Sequence, residues 1–325
     1  MALLITGGTG ANGALIVQEL VNRGETPVVF DVAPRPGILG DAAHNTKIIK
    51  GDITDFYQLL NVVKKEGVDR IIHTAWYWTK PAYGKDPVND FKVNMLGTFN
   101  VLEAARILGV KKVVFTSSWQ MFSAASKIPM PEDYPKTPRY TYGAGKLAME
   151  MWGESYADNY GLDFIALRFP SIYGLRPIEI LPDKTHAYVE WMVVNAVRGK
   201  PVRIVAGDMK QQMLYLKDLA NAVVLASGCK TTKHRIFNIG TDEYFSIKEI
   251  AELVKKLIPS AELEVVSPKN KGSSEKRGLD YQRAKEELKY APQYTMEDGL
   301  KDYIDWVKSN PQPEDLSYYT TYSQQ

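Results

Sequence analysis

Cysteine is almost absent from this chain of 325 residues, which contains only Cys229. A single thiol has no partner for an intrachain disulfide, so a disulfide-stabilised secreted fold is excluded and a reducing, cytoplasmic location is expected. Histidine is also scarce. The four histidines and Cys229 show no zinc-like spacing, and we therefore predict no metal site.

An excess of charge of one sign is missing as well. The 40 basic and 38 acidic residues leave a formal net charge of +2, which gives no electrostatic reason to expect nucleic acid or a membrane surface as a partner. The first residues, MALLITGGTG, contain one short apolar run without a basic flank, which predicts neither a signal peptide nor a membrane span. The expected partner is a small-molecule substrate.

The chain does have 45% hydrophobic residues, enough for a sizeable core. Short β-branched or apolar runs alternate with longer amphipathic stretches, a pattern typical of a parallel sheet covered by helices on both faces. We predict an α/β fold with a Rossmann-type doubly wound parallel sheet, whose ligands bind at the carboxyl ends of the strands. The predicted strands are residues 2–6, 26–31, 47–51, 70–75, 111–118 and 162–169.

The pattern changes after Pro170, where a proline-containing stretch, LRPIEILPDK, precedes further helical patterns. One helix is expected to start near Asp218. Another should start at Ser246, which with Glu249 forms the pattern of a capping box. We predict a Rossmann domain over 1–169 with a returning segment near 207–240, a smaller substrate-binding domain over 170–310, and a loosely held polar tail over 311–325.

The segment ITGGTGANGALIVQEL places Gly7, Gly10 and Gly13 between a strand and a helix. Such a loop provides a tight turn, a close backbone approach to a pyrophosphate, and a helix N-terminus directed at the anion. An ordinary glycine-rich turn is the alternative. We predict a dinucleotide site at this loop, which also includes Ala11 and Asn12.

A carboxylate at the end of the second strand indicates which dinucleotide binds. Asp31 lies 18 positions after Gly13 (31 − 13), close to the ~20 expected for the residue that binds the adenosine ribose. A carboxylate accepts hydrogen bonds from a ribose diol and repels a 2′-phosphate, which favours NAD over NADP, although Arg35 could weaken this preference. Asp52 and Ile53, after the third strand, are expected near the adenine; a helix cap is the alternative for this segment.

Tyr142 and Lys146, in RYTYGAGKLAMEMW, are four residues apart and share one face of a predicted helix. Tyrosine titrates near ~10 when unperturbed, too high for a base at neutral pH. A lysine ammonium and a positively charged nicotinamide would favour the phenolate and bring it into range. Because Tyr-x-x-x-Lys often occurs by accident, the pair alone leaves open a helix that merely contains tyrosine.

Six motifs occur in register over residues 1–175, with weaker similarity to about residue 300. The glycine triplet, Asp31, IIHTA, Asn94 in VNMLGT, FTSS and YGAGK together resemble the extended short-chain dehydrogenase/reductase family, or NAD-dependent epimerase/dehydratase superfamily. The resemblance implies that Ser118 binds the substrate oxygen. Tyr142 would exchange the proton, and Lys146 would bind the nicotinamide ribose and keep Tyr142 acidic.

The resemblance also implies further contacts and a partner. His73 is expected to be a packed strand residue rather than a catalyst. Helices that begin near Asp86 and Arg139 often pair with their copies in this family, so a homodimer is expected. Residues suited to that interface, or equally to a core, are Met149, Met151 and Trp152. Further residues expected at the cofactor are Thr74, Ala75, Asn94, Thr116 and Pro170.

Three departures from the nucleotide-sugar members of the family bear on the substrate. WQ at 119–120 stands where dehydratases have an acidic pair, and QQ at 211–212 stands where sugar-nucleotide members commonly have Arg-Asp. WYW at 76–78 replaces small residues and a lysine. Neutral and aromatic groups thus replace charged ones, which favours a smaller substrate. The expected substrate contacts are Trp76, Trp78 and Gln120.

We therefore predict an NAD-dependent dehydrogenase or reductase that releases its cofactor and acts on a secondary alcohol or ketone of a small hydroxy acid, a sugar or an aromatic-tolerant substrate. A weaker resemblance to the threonine dehydrogenase-like branch supports a small substrate, although LPDKTHAYVEW replaces that branch's glycine-rich loop. The alternatives are a nucleotide-sugar epimerase with tightly bound NAD and a protein that only binds NAD. An anionic substrate could bind Arg176, Lys184 or His186. The alternative for each is a loop charge that is simply exposed to solvent, which is the more frequent case.

Overall fold

A computed structural model describes residues 2–78, 86–122, 128–176, 187–268 and 276–310. The strands are β1 Ala2–Thr6, β2 Val28–Asp31, β3 Lys47–Lys50, β4 Val68–His73, β5 Lys112–Ser118, β6 Asp163–Phe169, β7 Ser171–Tyr173, β8 Val202–Val205, β9 Met213–Tyr215, β10 Ile236–Asn238 and β11 Leu263–Val266. The α-helices are α1 Gly13–Asn22, α2 Phe56–Lys65, α3 Pro87–Asn89, α4 Thr98–Leu108, α5 Thr141–Tyr160, α6 Tyr188–Val197, α7 Leu216–Gly228, α8 Ile247–Leu257, α9 Gln282–Glu287 and α10 Met296–Ser309. Two 3₁₀ segments, Pro36–Asn45 and Trp119–Met121, and a π-helical segment, Asp90–Gly97, complete the set.

The central element is a parallel sheet of seven strands in the order β10-β6-β5-β4-β1-β2-β3. Strand β1 pairs with both β2 and β4, and the order reverses there. Doubly wound sheets open their ligand crevice at such a reversal. The predicted doubly wound sheet is confirmed, and its first six strands agree with the predicted ones to within two residues at each end.

Successive side chains of each strand face opposite helical layers. Leu3 and Ile5 of β1 belong to a core that includes α1 and α7, whereas Leu4 belongs to a second core with α2, α4 and α5. Because helices cover both faces, every central strand position favours an apolar side chain. This is the reason that the strands lack polar–apolar alternation.

Beyond β6 the chain divides between this sheet and a second group of elements. Strand β10 pairs with β6, and α7 packs against α1, so this part of the chain returns to the main sheet. The pairs β8–β11 and β7–β9 lie with α6, α8 and α10 in the second group. The domain boundaries themselves stay a prediction.

Two predicted helix starts can be compared directly with the structure. Ser246 and Glu249 form the predicted capping box of α8, each accepting a hydrogen bond from the backbone of the other. Helix α7 begins at Leu216, two residues before the predicted start near Asp218. The predicted tail lies outside the described residues. Among the helices that the structure describes, none has the length and apolar character needed to cross a membrane.

Close packing of α5 on β6 leads to a stability prediction. A Cβ added at Gly153 would stand 2.2 Å from the ring of Phe164. We expect Gly153→Ala to lower the free energy of unfolding by up to about 2 kcal/mol, because overpacking costs about 1–3 kcal/mol and alanine gains ~1 kcal/mol over glycine in a helix. The matched control is Gly145→Ala, whose Cβ would meet its nearest atoms at 3.5 Å. Equal shifts of the urea midpoint for the two variants would contradict the packing argument.

Candidate active site

A cleft of about 1540 Å³ opens at the carboxyl ends of the central strands, between the glycine loop and the start of α5. Parallel strands end at one edge of the sheet, and this brings together residues that are distant in sequence. The predicted cofactor and catalytic residues on its wall are Gly7, Gly10, Ala11, Asn12, Gly13, Asp31, Asp52, Ile53, Thr74, Ala75, Thr116, Ser118, Tyr142, Lys146 and Pro170. The predicted substrate contacts Trp76, Trp78 and Gln120 lie on it too.

The loop between β1 and α1 leaves no room for side chains at two of its glycines. Gly7 has a φ of +69°, and a Cβ there would lie 2.7 Å from the Cα of Ala75. A Cβ at Gly13 would lie 2.2 Å from the carbonyl oxygen of Gly7. The backbone is therefore bare where α1 begins, and this cradle fits the pyrophosphate of a dinucleotide, which the helix N-terminus attracts.

Asp31 ends β2 on the cleft wall and is held by the glycine loop. Its Oδ2 accepts hydrogen bonds from the backbone N–H of Thr9 at 3.0 Å and from Thr9 Oγ1 at 2.7 Å. Its Oδ1 accepts from the N–H of Ala33 at 3.1 Å. These donors fix the carboxylate at the expected ribose position. Thr9 was not predicted as a site residue, although it lies inside the glycine motif.

Asp52 lies on the same wall, after β3. Its Oδ1 accepts from the N–H of Thr54 at 2.8 Å. The N-cap of α2 is Asp55, whose carboxylate accepts from the N–H of Gln58 at 3.0 Å. The helix-cap role considered for this segment therefore belongs to Asp55, and Asp52 remains on the wall of the cleft.

Ser118, Tyr142 and Lys146 meet where β5 ends and α5 begins. A hydrogen bond joins Ser118 to Tyr142. Four residues along α5, the Nζ of Lys146 donates to the carbonyl oxygen of Thr116 at 2.7 Å and lies 5.8 Å from the centre of the Tyr142 ring. The hydroxyl, phenol and ammonium groups thus form one contiguous group on the cleft wall.

Burial dominates the acid–base properties of this group. It raises the pKa of Tyr142 to about 12, while the hydrogen bond with Ser118 acts in the opposite direction. Burial also lowers the pKa of Lys146 well below its usual range, and the charge of Glu150 opposes that effect. Unless positive charge is added beside it, Tyr142 is therefore a neutral phenol at neutral pH.

The two neighbouring serines of β5 have different partners. The hydroxyl of Ser117 donates to Oε1 of Glu150 at 2.5 Å. Arg168 of β6 binds the same carboxylate through Nε and Nη2, with an Nη2–Oε2 distance of 2.6 Å, and both side chains of this ion pair are almost fully buried. It is Ser118, not Ser117, that contacts Tyr142.

Two tryptophans surround Tyr142. The ring centres of Trp78 and Trp76 lie 4.6 Å and 5.8 Å from that of Tyr142, both in edge-on geometry. Asn94 holds the segment between them, because its Oδ1 accepts from the N–H of Tyr77 at 2.6 Å and its Nδ2 donates to the Tyr77 carbonyl at 2.9 Å. The amide of Asn94 thus supports the segment that carries the two tryptophans, and its contact with the cofactor stays a prediction.

His73 of β4 is buried between two threonines. Thr98 Oγ1 donates to the carbonyl of Asn94 at 2.7 Å, so the Nε2 of His73 donates to Thr98 at 2.9 Å and its Nδ1 accepts from Thr6 at 2.6 Å. Burial, with the charge of Lys146 as a smaller cause, lowers the pKa of His73 to about 3. His73 is a neutral packing residue at neutral pH, as expected.

Beyond Tyr142, the substrate half of the cleft is lined by aromatic, neutral and cationic groups. The guanidinium of Arg277 lies 5.7 Å from the centre of the Trp119 ring. Among the lining residues that the structure describes, the only carboxylates are Asp31 and Asp52, both near the glycine loop. An anionic substrate group would meet Arg277 and no described carboxylate in the substrate half. Arg277 was not predicted, because no local motif marks it and Trp119 lies 158 residues away (277 − 119).

Other residues singled out from the sequence have structural partners or lie outside the described residues. Gln212 is buried and binds backbone groups of Thr241 and Leu279, so it is not a substrate contact. Arg176 lies on the wall but is paired with Glu190 at 2.5 Å, which offsets its charge. Those outside the described residues are Lys184 and His186.

The position of Asp31 leads to a prediction about dinucleotide preference. Asp31→Ala should weaken NAD binding by about tenfold or more, because a charge-assisted hydrogen bond to the ribose is lost, and should reduce discrimination against NADP, because the repulsion of a 2′-phosphate is lost. Calorimetric titration with both dinucleotides measures the two affinities. Asp41→Ala, an exposed acidic residue after β2, is the control. An unchanged preference would assign the discrimination to another residue, with Arg35 first to be tested.

Known proteins align with this chain over nearly the whole length of both. The chain matches the model of the NAD dependent epimerase/dehydratase family over residues 3–240. It is 28% identical to UDP-glucose 4-epimerase of Lacticaseibacillus casei, over 96% of this chain and 98% of that protein. Among solved structures, it is similar to UDP-glucose 4-epimerase of Thermotoga maritima with UDP-glucose (TM-score 0.83, 27% identity, 95% of this chain and 99% of that one). It is also similar to UDP-glucose 4-epimerase of Thermus thermophilus in complex with NAD (TM-score 0.79, 26% identity, 95% and 100%).

The family match covers most of the chain, and the bare glycine cradle and Asp31 fit the pyrophosphate and ribose of a dinucleotide. The cofactor is accordingly NAD, and the chain belongs to the NAD-dependent epimerase/dehydratase family of extended short-chain dehydrogenase/reductase enzymes.

Proposed function

We propose that this protein is an NAD-dependent epimerase that acts on a nucleotide sugar. The observation that carries the proposal is the Ser118–Tyr142–Lys146 group, which lies on one cleft wall with the glycine cradle. The curated relatives that align over nearly their whole length are mostly nucleotide-sugar 4-epimerases. This supports the epimerase considered from the sequence over the small-substrate dehydrogenase that we preferred there.

The substrate half of the cleft also suits a nucleotide sugar. Arg277, over the face of Trp119, offers a cation to a diphosphate without a neighbouring carboxylate among the described lining residues. A cleft of about 1540 Å³ exceeds the 300–1,000 Å³ typical of one small ligand and can hold a dinucleotide together with a second nucleotide. Trp119 and Gln120 stand where dehydratases carry their acidic pair, and this favours epimerisation over water elimination.

The chain's own groups divide the chemistry of such a reaction. NAD supplies a nicotinamide ring that can take up a hydride from a sugar carbon and return it. Tyr142 accepts the proton of the hydroxyl on that carbon and later gives it back, while Ser118, hydrogen-bonded to Tyr142, holds the same oxygen. Ser118 Oγ accepts from the N–H of Gln120 at 3.2 Å, which holds its hydroxyl beside Tyr142, and its single proton can pass from the Tyr142 oxygen to the substrate oxygen when substrate binds.

Desolvation of Tyr142, which is only partly exposed on the cleft wall, makes this proton transfer conditional. Burial holds its pKa at about 12, so the phenolate forms near neutral pH only when positive charge lies beside it. The ammonium of Lys146 and an oxidised, positively charged cofactor both provide such charge. Proton removal is therefore favoured when the cofactor is in the state that accepts a hydride.

A substrate panel tests the proposal. Purified protein with NAD is incubated with UDP- and dTDP-sugars, small hydroxy acids and aryl alcohols, while chromatography follows the sugars and absorbance follows NADH. We expect interconversion of two epimers of a nucleotide sugar without accumulation of NADH. Stoichiometric NADH from a hydroxy acid or alcohol, without any epimerisation, would instead support the dehydrogenase.

Tyr142→Phe provides the mechanistic test. It should reduce epimerisation by roughly 10²–10⁴-fold, the usual contribution of general acid–base catalysis, and leave NAD affinity within about threefold, since the backbone cradle is unchanged. Tyr160→Phe, at the exposed far end of the same helix, is the matched control. Loss of NAD binding in Tyr142→Phe would assign the tyrosine a structural role.

We also propose that the protein forms a homodimer through α5 and the helical stretch that ends in α4. Large apolar side chains are exposed there: Phe91 by 66%, Met151 by 62% and Trp152 by 46%. Trp152 touches Phe99 edge-on at 5.4 Å, which joins the two helices into one face. Met149, by contrast, is buried and belongs to the core.

Charge placed on this face should separate the subunits. The double variant Met151→Glu, Trp152→Glu is expected to sediment as a monomer at concentrations where the natural chain is a dimer, because each dimer would bury four new carboxylates. Tyr57→Glu, an exposed aromatic residue on α2, is the control and should leave the mass unchanged. A monomeric natural chain would contradict the proposal.

A further inference from the structure

We propose that Trp76 is a positioning residue, whose indole face holds the ammonium of Lys146 in its charged form next to Tyr142. The proposal rests on the catalytic roles assigned above to Tyr142 and Lys146. It gives Trp76 a role different from the substrate contact expected from the sequence. It also concerns a position where nucleotide-sugar members of the family have a small residue.

Lys146 lies in a site almost without water. Its side chain is 3% exposed, and burial alone would favour the neutral amine. Only one of its three ammonium protons has a described hydrogen-bond acceptor, the carbonyl of Thr116 at 2.7 Å. The remaining charge faces aromatic rings: the Nζ lies 3.5 Å from the ring centre of Trp76 and 4.7 Å from that of Phe115. A contact of 3.5 Å in a desolvated site is where cation–π attraction is strongest.

The other titratable groups around Lys146 do not replace Trp76 in stabilising its ammonium. On its own helix, Glu150 lies one turn away, but Arg168 of β6 binds that carboxylate and offsets its charge. On β4, His73 is neutral, because burial lowers its pKa to about 3. Tyr142, also on α5, is the group that the ammonium serves. Among the described aromatic rings, that of Trp76 is the nearest to the ammonium, and it adds its π face to the single hydrogen bond with the Thr116 carbonyl.

The position of the indole is supported by contacts on several sides. Asn94 binds both backbone groups of Tyr77, the next residue along the chain. Gly145, the residue before Lys146, lies beside the indole, since a Cβ there would stand at van der Waals distance, 3.5 Å, from Cη2 and Cζ2 of Trp76. The ring also meets Tyr142 edge-on at an interplanar angle of 80°. One side chain therefore contacts both catalytic residues.

The consequence is a link between the π electrons of Trp76 and the acidity of Tyr142. If the indole attracts the ammonium less strongly, Lys146 loses its proton more readily in this buried site, and the phenolate of Tyr142 loses its neighbouring positive charge. The pKa of Tyr142 should then rise. A residue that merely fills space would not transmit such a change.

Titration of Tyr142 tests this without any substrate. The near-ultraviolet absorbance of tyrosinate is followed against pH in the NAD complex, and the curve of Tyr142→Phe is subtracted to isolate one residue. Replacing the six tryptophans by fluorotryptophan keeps their shape and reduces their π-electron density. We expect the pKa of Tyr142 to rise by roughly half a unit, a fraction of the effect of a whole desolvated cation–π contact, because fluorination weakens the π face of the indole without removing it.

Trp76→Phe supplies the matched background. With residue 76 no longer a tryptophan, fluorination of the other five should leave the pKa of Tyr142 unchanged, which separates Trp76 from the nearby Trp78. No rise on fluorination of the natural chain, or an equal rise in both backgrounds, would overturn the proposal. The titration does not depend on the reaction catalysed, so failure of the epimerase proposal would leave its result unchanged. If Lys146→Met left the pKa of Tyr142 unchanged, the effect of Lys146 on Tyr142, on which both proposals rest, would be contradicted.

Discussion

The buried ion pair of Glu150 and Arg168 determines how α5 lies on the sheet, and the catalytic group depends on that placement. Glu150 lies one turn beyond Lys146 on the same helix face, and Arg168 belongs to β6. Their contact sets the rotation of α5 about its own axis. The remaining polar groups are satisfied by Ser117 and by the carbonyl of Glu132, to which Arg168 Nη1 donates at 2.7 Å. A buried pair of this kind adds little net stability, but a helix rotated out of register would leave both charges unpaired, and we interpret the pair as a device for register.

Burial from solvent makes a wrong pairing of these two charges costly, and the same lack of solvent affects the reaction. Removing water strengthens every electrostatic contact within the site, while it suppresses the charged forms of both Tyr142 and Lys146. Aromatic rings and a backbone carbonyl, rather than water, surround the ammonium of Lys146. The acid–base state of the site is consequently set by its few fixed neighbours, and it changes sharply when a charged ligand enters.

Much of the fold and of the cofactor site could be predicted from the sequence because the signals are local. Strand boundaries follow from apolar runs, and the glycine cradle and the Tyr142–Lys146 spacing each lie within one short segment. The features that were missed depend on contacts between distant segments. Asn94 binds the backbone of Tyr77 across 17 positions, and Arg277 reaches the cleft from beyond β11. The expectation of a small substrate came from three departures, WQ at 119–120, QQ at 211–212 and WYW at 76–78. The contacts of Trp76 and Trp78 with Tyr142, and of Trp76 with Lys146, join separate segments and could not be predicted from the sequence.

The late position of β10 in the sequence affects how the sheet forms while the chain is being synthesised. Strand β6 is finished at Phe169, yet its neighbour β10 begins at Ile236, 67 residues later (236 − 169). While the intervening chain is still on the ribosome, β6 is an unpaired edge with an apolar face that α7 has yet to cover. Nascent chains would therefore need protection from one another until about residue 238 has emerged. For the same reason, a gene cut at the end of β6 would not encode a free-standing nucleotide-binding module, since the last strand of that module lies on the far side of the cut.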